Sequence, residues 1–202
     1  MEAQKANMFK LAMTDGIYIS AISIAISVLI WATSLMEKMG FFGSAFIGIL
    51  QFVILVYLLI YFTKHYRNVL LSGKITFSQA FTFGVLLVIL SSVITSLYSY
   101  IFNKFIDPEY ASRIMTMMQD KTYQWMTSKG VPEDQIEAAM KKFEDKGIPS
   151  PMETLTTSLQ IGLIGGVFMS LISSAIVKKN ITNEDEFDDA MDEVKNDETS
   201  HS

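Results

Sequence analysis

The sequence predicts an all-α, polytopic membrane protein: four transmembrane helices with an extramembrane αα-hairpin between the third and the fourth. Three observations carry this expectation. The 202-residue chain is 50% hydrophobic and only 18% charged, against about 25% charged in a typical soluble domain. Its charges cluster, leaving four runs of 20 or more residues without one. At about 1.5 Å of helical rise per residue, 20 residues reach roughly 30 Å, one hydrocarbon thickness. Between the third and fourth runs lies a polar insert with helix start and stop signals of its own. An ordinary water-soluble enzyme is excluded by this distribution.

The first span is read over 17–36, uncharged from Ile17 to Met36, with Thr14 or Asp15 as its cap and Glu37, Lys38 and Gly40 at its end. A cleaved signal has an apolar region of only about 7–15 residues, so this segment reads as a retained anchor. The second span covers 41–63, with Tyr57 and Tyr61 near its far end. The third covers 77–102 and opens on Thr76-Phe77-Ser78-Gln79, a capping box in which a hydroxyl and an amide three residues apart satisfy each other's backbone N–H. The fourth covers 154–177 and is closed by Lys178 and Lys179.

The insert, 103–152, divides into two helices. Asp107-Pro108 is an acidic cap followed by proline at the first helical position, and the helix it opens stops at Gly130. Val131-Pro132-Glu133-Asp134 opens the second, which Gly147 ends. Ile136, Met140 and Phe143 form one apolar stripe on the second helix; Ile114, Met118 and Trp125 share a side with Met115 and Thr122 on the first. Methionine-rich surfaces adapt to varied partners, so Met115, Met118, Trp125, Ile136, Met140 and Phe143 are a candidate partner surface. The plainer reading is that they close the hairpin and rest on the bilayer or the bundle.

Charge divides sharply along the chain. Residues 180–202 hold nine acids and one base, Lys195, a net of −8; the remaining 179 residues hold 15 bases and 12 acids, a net of +3. The segment 181–202 therefore reads as an acidic disordered tail. No basic stripe points to nucleic acid. Four spans put both termini on one side of the membrane. Lys64, Arg67, Lys178 and Lys179 abut the spans on that side, against Lys38 and Lys104 on the other. By the enrichment of bases in cytoplasmic loops, both termini are expected in the cytoplasm.

The spans so read hold no ionisable residue and no proline, which are the marks of many transporters. Gln51 is their most polar side chain and reads as an interhelical hydrogen-bonding group. Small residues carry the clearest pattern. Ser158, Gly162, Gly166, Ser170 and Ser174 recur every four residues, a helix-packing ridge on which a neighbouring backbone can approach closely. Ser91, Ser92, Thr95, Ser96 and Ser99 on the third span, and Gly16, Ser20, Ser23 and Ser27 on or beside the first, offer partner surfaces. Packing within one bundle and homo-oligomerisation through the fourth span both fit the ridge.

With no cysteine and only two histidines, thiolate chemistry is excluded and imidazole chemistry is scarce. No nucleophile elbow, phosphate-binding loop or H-E-x-x-H appears, and His65 reads as an interfacial loop residue. Neither catalytic residues, nor a cofactor, nor a metal site is expected, and the chain is read as no enzyme. An enzyme would have to draw on Asp15, His65, Tyr66 and Arg67 at one membrane border, or Asp107, Glu109 and Arg113 at the other.

The chain resembles the uncharacterised integral membrane protein family of Bacteroidetes catalogued as domain of unknown function 4199. The resemblance lies in the four-span layout, in Gly73-Lys74-Ile75-Thr76-Phe77-Ser78-Gln79-Ala80-Phe81 leading to Gly84, and in Ser91-Ser92-Val93-Ile94 through Tyr98-Ser99-Tyr100 to Ile106-Asp107-Pro108-Glu109-Tyr110. It covers roughly 10–180 and leaves out the tail. It implies residence in a bacterial inner membrane and no activity. The expected function is that of a structural, interaction or accessory membrane protein, in contact with the lipid bilayer and an unidentified protein partner; the alternative is a small-solute channel or transporter acting as an oligomer.

Overall fold

A computed structural model describes residues 2–39 and 41–178; the acidic tail lies outside the described residues. The fold is all-α. Helix α1 spans Glu2–Ala32, the single-turn α2 Leu35–Lys38, α3 Phe41–Leu70 and α4 Phe77–Ile101, which runs on into a π-helical turn, Phe102–Ile106. Then follow α5 (Tyr110–Ser128), α6 (Glu133–Lys146) and α7 (Pro151–Val177). Four segments are long and apolar enough to cross a membrane: Ala6–Ala32, Ala45–Leu70, Phe77–Ile106 and Pro151–Val177.

Local chemistry sets the helix ends. The Thr76 side chain accepts from the Gln79 N–H while Gln79 Oε1 accepts from the Thr76 N–H, the expected capping box. Ser150 and Glu153 form a second box, with Pro151 at the first helical position. It starts α7 three residues before the uncharged run begins. Gly130 (φ 68°) and Gly147 (φ 63°) take the left-handed conformation after α5 and α6, where a side chain would be strained.

Helix α4 is the centre of the bundle. It packs along α7 and along α1, while α3 leans on α7 and touches α1 and α4 over shorter stretches. The tightest apolar core lies at the end holding the start of α1 and the end of α7. There Ala12, Phe62, Tyr66, Ile75, Phe83 and Val177 are buried together, and the Tyr66 and Phe83 rings stack with centroids 4.2 Å apart. Phe46, Ile49, Val53, Ile164 and Phe168 face outward. Lipid is as apolar as they are, so their exposure carries no penalty.

Three sequence-based expectations change. Helix α1 starts about four turns before Ile17, because Ala3, Lys5, Ala6, Leu11, Ala12 and Met13 favour helix and no breaker interrupts them. Thr14 and Asp15 thus lie inside the helix rather than capping it, so a spanning segment does contain an ionisable residue. Helix α3 continues to Leu70, so His65 is helical and not in a loop. Asp107 does not cap α5; that helix opens at Tyr110 after an uncapped turn. Asp107 is drawn away by longer-range partners.

Candidate functional site

The ridge of small residues on α7 meets α4. Gly166, Ser170 and Ser174 are buried. A Cβ built on Gly166 would lie 2.8 Å from Val88 Cγ2 and 2.9 Å from its Cβ. One on Gly162 would lie 2.7 Å from Ser92 Oγ, and one on Gly84 of α4 would lie 3.1 Å from Ser170 Oγ. The hydroxyls of Ser170 and Ser174 donate back to the carbonyls of Gly166 and Ser170, at 2.8 and 2.5 Å. Their polarity is satisfied within the helix, and what remains for the neighbour is a small, closely approachable surface. Ser158, the ridge's first member, lines a cavity together with Gly162 and Gly166.

That cavity, about 580 Å³, lies among all four spans, where the small residues of α1, α4 and α7 leave space beside α3. Gln51, placed by sequence among the interhelical hydrogen-bonding groups, is on its wall. Several lining hydroxyls are bonded to their own helix, such as Ser23 to the Ile19 carbonyl and Thr95 to that of Ser91. Five are not: Ser27, Ser92, Ser99 and Ser158 make no side-chain hydrogen bond among the described residues, and the Tyr98 hydroxyl is buried without a partner there.

The border residues fall into two groups at opposite ends. At the end holding the start of α1, Asp15 is 2% exposed and its Oδ2 lies 3.4 Å from Nδ1 of His65, which is 44% exposed. Tyr66 stacks on Phe83, and Arg67 turns to Asn68. A buried intramembrane carboxylate facing a bundle interior is a functional candidate by default. Removing its partner leaves it unsatisfied, which costs about 1–3 kcal/mol. His65→Ala is expected near the low end, about 1–2 kcal/mol, because the contact is long and the imidazole partly solvated. Adding Asp15→Asn should recover most of the loss. A double-mutant cycle of melting temperatures in detergent measures this; additive effects would mean that the pair is not coupled.

At the other end Asp107 joins three elements. Its carboxylate accepts from Arg113 Nη2 at 2.6 Å, from Arg113 Nη1 at 3.1 Å and from Trp31 Nε1 at 2.8 Å. The Arg113 guanidinium, with the Trp31 hydrogen bond, holds this carboxyl below the usual aspartate value. Lys121 of α5 donates to the carbonyls of Met36 and Met39 in the connection from α1 to α3. The candidate partner surface is only partly covered. Ile136 is buried, and Met115, Met140 and Phe143 are half-buried, but Met118 and Trp125 remain 49% and 39% exposed. Among the described residues no cluster of three or more metal-ligating side chains forms.

Four apolar helices long enough to span a bilayer, packed through small residues, define the class: a multi-pass α-helical membrane protein. Within that class, residues 14–179 match the family described as Protein of unknown function (DUF4199), and the chain belongs to it. Comparison with curated proteins and with solved structures finds no match.

Proposed function

We propose that this chain is a non-catalytic accessory or interaction protein of a bacterial inner membrane, with both termini in the cytoplasm and α5–α6 forming a periplasmic hairpin. The observation that supports it most is the face of α5 that carries Met118 and Trp125, seven residues apart and both exposed; aromatic and methionine side chains are the enriched types at protein interfaces. The bilayer covers the outward faces of the spans, but not this helix. Affinity purification in mild detergent tests the reading. A protein partner that is retained by the intact chain and lost with Met118→Glu supports it. A lone homo-oligomer with solute-dependent thermal stabilisation would sink it and support the second reading, a small-solute channel or transporter, which the cavity among the spans favours.

The topology has its own test. The native chain has no cysteine, so single cysteines report cleanly. Ser128→Cys, at the end of α5, should react with a membrane-impermeant thiol reagent in cells made permeable only at the outer membrane. Ser72→Cys, in the turn between α3 and α4, should not. The reverse pattern inverts the orientation.

A further inference from the structure

The cavity among the spans is amphipathic along its length. Trp31 at the end of α1 bonds Asp107 just after α4, so the C-terminal ends of α1 and α4 lie together, with the N-terminal ends of α3 and α7 beside them. Sorted by that direction, the wall nearest the α5 end is mostly polar, with Ser27, Gln51, Tyr98, Ser99 and Ser158 beside Ile24 and Ile161. The wall at the opposite, deep end carries Leu59, Val88 and Met169, all apolar, with Ile19, Leu55, Ser91 and Ser92 between the two ends. No Asp, Glu, Lys, Arg or His lines any part of it.

We propose that this cavity is a binding site for a neutral, single-chain amphiphile, with its hydroxyl- or carbonyl-bearing head among Ser27, Gln51, Tyr98 and Ser158 and its hydrocarbon chain directed toward Leu59 and Met169. The buried Tyr98 hydroxyl has no partner among the described residues. Buried polar groups are ordinarily hydrogen-bonded, and a polar head satisfies this one. An ionised headgroup finds no counter-charge here, so burying it costs more than a neutral head does. The volume of about 580 Å³ falls within the roughly 300–1,000 Å³ of small-molecule sites. Phe52 of α3 and Ile161 of α7 line the cavity and are also exposed, which gives a mouth between those helices, open to the bilayer. Access is therefore lateral, from lipid. This site does not depend on the accessory reading, since an interaction protein and a transporter can both hold a lipid.

The probe is a monooleoylglycerol bearing a photoactivatable group and an alkyne in its chain, in phosphatidylcholine vesicles containing the full chain. Irradiation and peptide mapping should place the label on the deep wall, at Leu59 or Met169. Excess unlabelled monooleoylglycerol should abolish the labelling. Oleate, ionised at pH 9, should compete about tenfold less well, a difference of about 1.4 kcal/mol. Leu55→Trp fills the middle of the cavity and should suppress labelling. Tyr98→Phe removes a hydroxyl that bonds nothing in the chain, so it should leave the melting temperature unchanged and weaken competition several-fold. It keeps the test decisive even where Leu55→Trp fails to fold. Label confined to outward residues such as Ile164 and Phe168, oleate competing equally, or folded Tyr98→Phe behaving as the unsubstituted chain would each overturn the proposal. Failure of the partner capture above leaves all these readouts intact.

Discussion

Gly166→Leu is expected to be the most damaging substitution in the spans, because it inserts four heavy atoms where α7 meets α4. The first of them would already lie 2.8 Å from Val88 Cγ2 and 2.9 Å from Val88 Cβ, closer than carbon atoms pack. Val88 cannot turn aside, since a β-branched residue in a helix has one strongly preferred χ1 rotamer. Overpacking costs about 1–3 kcal/mol, and this site belongs at the upper end, because in lipid no hydrophobic gain offsets the separation of the helices. Gly162→Leu should cost less, as its contact is mainly the rotatable Ser92 hydroxyl. Gly165→Ala should be neutral or stabilising by up to about 1 kcal/mol, since its nearest neighbour is Met169 Cε at 4.0 Å. Ile164→Ala, at a residue 64% exposed, serves as the lipid-facing comparison and should change little. Folded yield and melting temperature in detergent test this order, and crosslinking separates a lost dimer from a disrupted monomer. A Gly166→Leu chain that melts like the parent would mean that α4 and α7 do not meet through this ridge.

Asp107→Ala is expected to cost about 2 kcal/mol, from the loss of charge-assisted hydrogen bonds worth about 1.5–3 kcal/mol each, discounted because Arg113 is 41% exposed and solvates on its own. The deletion frees the end of α1 from the π-helical turn and α5 from both. Trp31 keeps its edge-on contact with the Phe102 ring, 5.6 Å between centroids. The same carboxylate sets a pH dependence. Its folded value lies below the ordinary aspartate value, with the Arg113 hydrogen bond the largest cause. Its contribution is therefore complete above the unfolded value and disappears as pH falls through the folded one. Acid titration of the melting temperature below pH 4 should show a loss in the parent that is absent from Asp107→Ala. Parallel acid profiles for the two chains would contradict this assignment.

Legibility differed along the chain for physical reasons. The Thr76–Gln79 box and the stop at Gly130 were readable because each depends on residues within a few positions. The Ser150–Glu153 box is just as local, and Ser-Pro-x-Glu announces it; reading the span only as an uncharged run hid it, because the run begins after Glu153. The start of α1 was misplaced for a related reason. Charge marks where an apolar run begins, whereas a helix continues as long as its residues favour it, and Lys5 and Lys10 do. Asp107 followed by proline carries a cap signature, yet in the fold its carboxylate faces Arg113 and Trp31, and charge-assisted bonds outweigh a single capping bond.

The sequence by itself determined that this chain holds four segments long and apolar enough to cross a membrane and that the fourth carries a ridge of small residues. Both follow from one-dimensional quantities: the length of an uncharged run and the period of a helix. Only the tertiary structure decided which neighbour that ridge meets, which of Gly162, Gly165 and Gly166 has no room for a side chain, that Asp15 is buried beside His65, and that Ser27, Gln51, Tyr98, Ser99 and Ser158 gather at one end of a cavity. Helical period places residues on one face of their own helix, but the depth, rotation and partner of that face are set by contacts between segments far apart in the chain.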